Sequence, residues 1–217
     1  MGYLSKYKLE DFKPVTWEEY GKTLEELFNK VEKYVRENKI KIDAVVPILR
    51  GGAFPGTYLA YQLNLLKILP VQYKYFFEGS QINLKQILSI PKSSLPDKPV
   101  FFVIENNQCF GLTAQTAIND IKKEFPGCRI IYAADHMDYS FQKMENTEAV
   151  FYGRLTNETR TLSKAECDKK GIFHLSYLFP WENIKEEWTT VQGKQFEYAD
   201  LELANKNAET KKSINLD

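Results

Sequence analysis

Apolar and polar residues follow two different rhythms along this chain. From Trp17 onward, Tyr20, Leu24, Leu27, Phe28, Val31, Tyr34 and Val35 recur every three or four positions, which predicts an amphipathic helix over 16–38. Thr16 and Glu19 open it as a capping box, each side chain satisfying a backbone donor that the helix start leaves free. Trp17 and Tyr20 are read as core contacts. Elsewhere the apolar residues come in short runs, and strands are predicted at 43–49, 70–77, 100–105, 129–134 and 148–152. The first, third and fourth are apolar on both faces, as parallel strands covered by helices should be. Helical patterns at 56–66 and 113–124 fall between strands, the rhythm of an open α/β sheet. Residues 78–98 break it with Gly79, Ser80, Pro91, Ser93, Ser94, Pro96 and then Pro99, which predicts a lid or an added hairpin. From about Gly193 the chain is polar and reads as a tail or a frayed helix.

Composition narrows the class. With 217 residues, 43% of them hydrophobic and 14% aromatic, the chain can build a packed α/β core, so a disordered protein is excluded. Lys plus Arg and Asp plus Glu balance at 29 each, which gives no support to nucleic acid or an anionic membrane as partner. Cys109, Cys128 and Cys167 are scattered, without a CxxC pair or zinc spacing. That pattern, with no charged-then-apolar leader and no apolar run of about 18 residues, leads to the expectation of a reduced cytoplasmic protein.

Two segments carry the chemistry. Asp43-Ala-Val-Val-Pro-Ile-Leu-Arg-Gly-Gly-Ala-Phe-Pro-Gly-Thr57 is an apolar strand that ends in Arg50-Gly51-Gly52 and runs into a helix pattern. Val100-Phe-Phe-Val-Ile-Glu-Asn-Asn-Gln-Cys-Phe-Gly-Leu-Thr-Ala114 repeats that strand–turn–helix form. Glycine lets backbone approach a ligand, and helix N-terminal N–H groups point at negative charge. Two such units predict a phosphorylated ligand held between two loops, the turns lying at one edge of the sheet. A plain connecting turn is the alternative for Arg50–Gly52. Cys109 reads as a small filler or as a thiol activated at a helix start. His136 and His174 read as structural or surface residues, since no second metal ligand is spaced with either. Trp181 after Pro180 reads as a packed corner. Asp135 and His136, at a strand's C-terminal end, stand where ligands collect in open α/β sheets. Tyr177 and Phe179 divide between strand core and stacking on a base.

Together the two loops resemble the type I phosphoribosyltransferases, most closely the xanthine-guanine and hypoxanthine group. Val46–Gly56 is similar to that family's pyrophosphate loop, Phe101–Thr113 to its phosphoribosyl-pyrophosphate (PRPP) motif, and Tyr177-Leu-Phe-Pro-Trp-Glu182 to the ending of its purine members. The resemblance covers about residues 14–188. It implies an α/β fold, an open parallel sheet flanked by helices, with a small hood from the terminal flanks; the domain is expected over 1–192 and the tail over 193–217. It further implies transfer of phosphoribose from PRPP to a purine-type base in nucleotide salvage. Arg50, Gly51 and Gly52 would hold pyrophosphate, often across a non-proline cis peptide. Glu105 and Asn106 would hold the ribose, and Cys109, Phe110, Gly111, Leu112 and Thr113 the 5-phosphate. Tyr177, Phe179 and Asp135 fall to the base side. Mg²⁺ is the implied cofactor, with Glu105 its ligand. The expected partner is a small molecule, PRPP or a nucleotide, with a homodimer as one assembly and no membrane or nucleic acid.

The chain departs from the family at the residues that do chemistry. The second acid of the ribose pair is Asn106, which hydrogen-bonds but brings no charge. A third acid falls at Cys109, a phosphate-capping Thr at Phe110, and the purine-reading Lys is missing from Tyr132-Ala-Ala-Asp-His136. The expectation is therefore transferase activity that is altered or reduced; the alternative is a non-catalytic PRPP or nucleotide sensor, or an interaction protein.

Overall fold

The computed structural model of the chain describes residues 12–78, 81–91, 93–174 and 176–182. The expected tail at 193–217 lies outside them. In chain order the elements are β1 (Phe12–Pro14), α1 (Trp17–Glu37), β2 (Ala44–Leu49), α2 (Ala53–Gln62), β3 (Val71–Glu78), β4 (Gln81–Leu88), β5 (Val100–Gln108), α3 (Leu112–Glu124), β6 (Arg129–Asp138), β7 (Ala149–Thr156), α4 (Lys164–Lys170) and β8 (Ser176–Leu178). Six strands form one sheet in the order β4-β3-β2-β5-β6-β7. All neighbours run parallel except β3 and β4, which are antiparallel. Residues 81–88 thus supply the hairpin reading of the 78–98 excursion. β1 and β8, from the two flanks, pair parallel as a separate two-stranded sheet with Phe12 opposite Ser176.

Alternation along the buried strands divides the core between two faces. Phe101 and Val103 pack with Ala114, Ala117, Ile118 and Ile121 of α3. Phe102 and Ile104 pack with Leu27 and Val31 of α1 and Leu59 and Ala60 of α2. Each fully buried aliphatic or aromatic side chain contributes about 1.5–3 kcal/mol by leaving water, which is what keeps β2 and β5 at the centre. Trp17 corrects one expectation: at the first helical position it falls off the apolar stripe and is 57% exposed, whereas Tyr20 is buried as expected.

The strand order locates the site. From β2 the chain winds one way to β3 and β4, then returns to lay β5 on the other side of β2. The topological switch point therefore lies between β2 and β5. Helices α2 and α3 leave these strands on opposite faces, and such an arrangement opens a crevice at the carboxyl ends of the strands.

Candidate functional site

The Arg50–Gly52 turn forms one wall. The Leu49–Arg50 peptide is cis. The N–H of Gly52 donates to the Ile48 carbonyl at 2.8 Å, and that of Ala53 to the Arg50 carbonyl at 3.1 Å. Gly52 has ordinary φ of −66°, so its need for glycine is steric. An added Cβ would lie 2.5 Å from the Ile104 carbonyl oxygen and 2.7 Å from the backbone N and O of Ile48. Gly51 sits against Asn106, whose Cβ would be 3.1 Å from an added methyl. The turn thus lies across the end of β5, at the same sheet edge as the 106–113 loop. Arg50 is exposed there. Gly52 caps α2 with no side-chain hydrogen bond, and the first turn of α2 has no acidic residue.

The second wall is the end of β5 and its loop. Glu105 is half-buried, with the Tyr132 hydroxyl 3.5 Å from its Oε2. Burial pushes its carboxyl up to about 8, a rise that Tyr132 only partly offsets. Asn106 is buried and accepts a hydrogen bond at Oδ1 from the Tyr20 hydroxyl of α1, 2.9 Å away. The Tyr132 partner belongs to the α3-side cluster and Tyr20 to the α1 side, so the two expected ribose ligands are held from opposite faces. Gln108 donates to the Phe141 carbonyl. Phe110 and Leu112 are exposed, and Phe110 meets Phe141 edge-on at 5.6 Å. Gly111 has φ of +72°, a left-handed conformation that disfavours other residues. It caps α3 without a side-chain hydrogen bond, and that first turn is also free of acids.

The remaining expected residues gather beside the small sheet. Asp135 is fully buried, and its Oδ2 lies 2.7 Å from His136 Nδ1. Burial raises the Asp135 carboxyl, against the pull of His136 and Arg154. The His136 ring meets Tyr177 at 4.5 Å and Phe179 at 4.9 Å, both edge-on. Phe179 is buried in a third cluster with Val15, Tyr20 and Leu24, while Tyr177 stands half-buried at its border. Trp181 is a packed corner, stacked on Phe54 at 4.4 Å and on Phe179 at 5.4 Å. Glu182 closes that corner by accepting from the Phe179 N–H at 2.7 Å.

Three contributors escaped the sequence reading. Tyr20 carried only the signal of a buried helix position. Asn107 read as loop, yet its Nδ2 donates to Glu158 Oε1 at 2.9 Å. Glu158 follows β7 with no motif around it, yet it is only 5% exposed. Among the described residues no group of three or more His, Cys, Asp or Glu is placed to hold a metal ion. No helix among them is long and apolar enough to cross a membrane.

No protein-family model matches the chain, and no curated protein matches it in sequence. Its shape does have counterparts. A purine phosphoribosyltransferase from Pyrococcus horikoshii superposes with a TM-score of 0.57 at 18% identity, over 80% of this chain and 95% of that one. This chain has the type I phosphoribosyltransferase fold. A hypothetical protein from Neisseria gonorrhoeae with bound ppGpp also superposes with a TM-score of 0.57, at 16% identity, over 91% of this chain and 97% of that one. At such identities the likeness is one of fold. It extends beyond the sheet to most of the phosphoribosyltransferase chain, and the Arg50–Gly52 turn and the 106–113 loop occupy the switch point of that fold.

Proposed function

We propose that the crevice between the Arg50–Gly52 turn and the 106–113 loop holds a phosphorylated ribose. In this reading the protein transfers phosphoribose from PRPP to a purine-type base, more slowly than a site with all its acids. The observation that carries it is the pair of helix starts, α2 and α3, capped by glycine and free of acids on either side of one switch point. Helix starts with neither a side-chain cap nor a first-turn acid present positive potential to an anion. Arg50, Gly51 and Gly52 would take pyrophosphate, Cys109 to Thr113 the 5-phosphate, and Tyr177, Phe179 and Asp135 would border the base. Tyr20 occupies Asn106 Oδ1, so Asn106 would meet a ribose hydroxyl through its amide nitrogen. Glu105 lies in the last stretch of β5 before Gln108; once its raised carboxyl gives up its proton it is a hard oxygen donor, and Mg²⁺ is commonly held by one or two carboxylates together with substrate oxygens. Glu105 would therefore hold Mg²⁺, which when bound would neutralise pyrophosphate charge. A cytoplasmic setting and a homodimer belong to the same proposal.

Asn106 in place of an acid removes charge stabilisation, a loss of about 10²–10³ in rate for one such partner. The concrete test mixes PRPP and Mg²⁺ with xanthine, guanine, hypoxanthine, adenine, uracil and orotate, and follows pyrophosphate release. Slow turnover with a purine is expected. Turnover near about 10 per second, an ordinary enzyme rate, would overturn the reduced-activity reading. A second reading, a non-catalytic sensor, is favoured by the uncharged Asn106 and by the ppGpp bound in the Neisseria gonorrhoeae structure. Calorimetric binding of PRPP or ppGpp without turnover would select it.

A further inference from the structure

An acid on a connecting loop ordinarily faces water, because burying a carboxylate is costly unless it is well hydrogen-bonded. Glu158 does the opposite, and the loop around it is wired to make it do so. Asp138, at the end of β6, accepts from the Thr159 N–H at 2.9 Å, the Thr159 hydroxyl at 2.8 Å and the Ser140 N–H at 2.9 Å. Asn157 donates from Nδ2 to the Leu162 carbonyl at 2.9 Å and accepts from the Leu162 N–H at 3.0 Å. Held from both sides, Glu158 turns inward and meets three donors from two other elements. Asn107 Nδ2 lies 2.9 Å from its Oε1, and the Cys109 thiol and the Ser176 hydroxyl of β8 also donate to it. Asn107 is left with a buried Oδ1 that has no protein partner. One carboxyl thereby joins β7, the loop that leads into α3, and the small terminal sheet.

We infer that Glu158 is the positioning residue of the 107–113 loop, and that its protonation state sets how strongly that loop holds an anion. The inference rests on the proposed anion-binding role of the loop. The groups facing Glu158 are Asn107 and Cys109 from the end of β5, Asp138 from β6, and Ser176 and Tyr177 from β8. Burial is the main cause that lifts the Glu158 carboxyl to about 7, and Asp138 adds to the lift. Asn107, Cys109 and Ser176 pull the other way without cancelling it. Near neutrality the group therefore changes charge. Ionised, it places a negative charge against Asn107 and Cys109, at the start of the loop that would face the ligand. Protonated, it keeps its partners and removes the repulsion.

Sulfate is the decisive probe, because it stays a dianion across the range in which Glu158 titrates. Calorimetry of the whole chain with sulfate, and in parallel with PRPP, would run between about pH 5.5 and 8.5. Two unit charges a loop's width apart in a protein-like dielectric change affinity by about tenfold. Sulfate binding to the native protein is expected to weaken by about that factor as pH rises through 7, with proton uptake on binding at neutral pH. Glu158→Gln should hold the low-pH affinity throughout, and amide protection at 107–113, taken relative to the intrinsic exchange rate at each pH, should no longer change with pH. A flat native profile for a ligand that does bind would overturn the inference and leave the proposed function standing. Glu105 also titrates in this range, so a fall in affinity that survives in Glu158→Gln, or one that Glu105→Gln abolishes, would overturn the inference as well. Absence of binding by both sulfate and PRPP at every pH would overturn both.

Discussion

The four helices among the described residues begin in two opposite ways. Helix α1 starts with Thr16, whose side chain accepts from the Glu19 N–H while Glu19 reaches back to the Thr16 N–H, and α4 repeats this with Ser163 and Glu166. Both starts also carry an acid in the first turn. Helices α2 and α3 start on Gly52 and Gly111, with no side-chain cap and no acid. The capped pair completes its own hydrogen bonding and complements its own dipole. The other pair has neither a side-chain cap nor an acid, so the positive end of its dipole is not complemented from within the helix. The difference follows position: the bare starts flank the switch point, and the capped starts do not leave either central strand. The glycines give up intrinsic stability that a Ser or Thr cap would provide, as expected where a ligand completes the structure.

That contrast can be broken at its strongest point. Gly52→Ala sets a methyl against the backbone of Ile104 and Ile48 with no flexible neighbour to yield. The expected cost is about 3 kcal/mol, read as a lower denaturation midpoint, together with loss of anion binding. Unchanged stability would show that the turn has room which its contacts deny. Next comes Leu112→Glu, which gives α3 the first-turn acid it lacks. Leu112 is 55% exposed, so the substitution should fold and gain about 0.3–1 kcal/mol from the dipole. Phosphate-ligand affinity should fall by about tenfold, the reach of one added charge. A more stable variant with undiminished affinity would separate α3 from the site. The smallest effects belong to the capped ends. Thr16→Ala and Ser163→Ala should each cost about 1 kcal/mol and leave ligand affinity unmoved; a large affinity loss in either would erase the distinction between the two pairs.

Much of the scaffold was legible because it follows local rules. The apolar stripe and capping box put α1 within a residue of its ends, and the runs apolar on both faces became the central parallel strands. The Arg50–Gly52 turn stood out because tight backbone approach leaves glycine as the only choice. Helix α2 begins at Ala53, three residues before the predicted start, because a glycine cap leaves no side-chain signal. Strands β5 and β6 run on through Gln108 and Asp138, past the predicted ends at 105 and 134. Their last residues are polar and read as loop, yet the strands stay paired with Asn107 opposite His136 and Gln108 opposite Met137. Gln108 is buried and Asn107 half-buried, each against a partner far away in sequence, Phe141 and Glu158. No local pattern records a partner of that kind, which is why Glu158 and the Tyr20–Asn106 bond went unseen. The three-residue strands β1 and β8 and the single-motif helix α4 were too short to leave a period.

The pairing of β1 with β8 also bears on how the protein is made. Phe12 and Ser176 meet from opposite ends of the described chain, so this contact carries a large loop-closure entropy and belongs to the slow, non-local part of folding. During synthesis the central sheet emerges first, and Glu158 leaves the ribosome before the strand that brings Ser176 to it. A nascent chain halted between them would hold a nearly complete sheet around a carboxyl short of one donor. The Glu158 carboxyl is therefore fully hydrogen-bonded only once translation has passed β8.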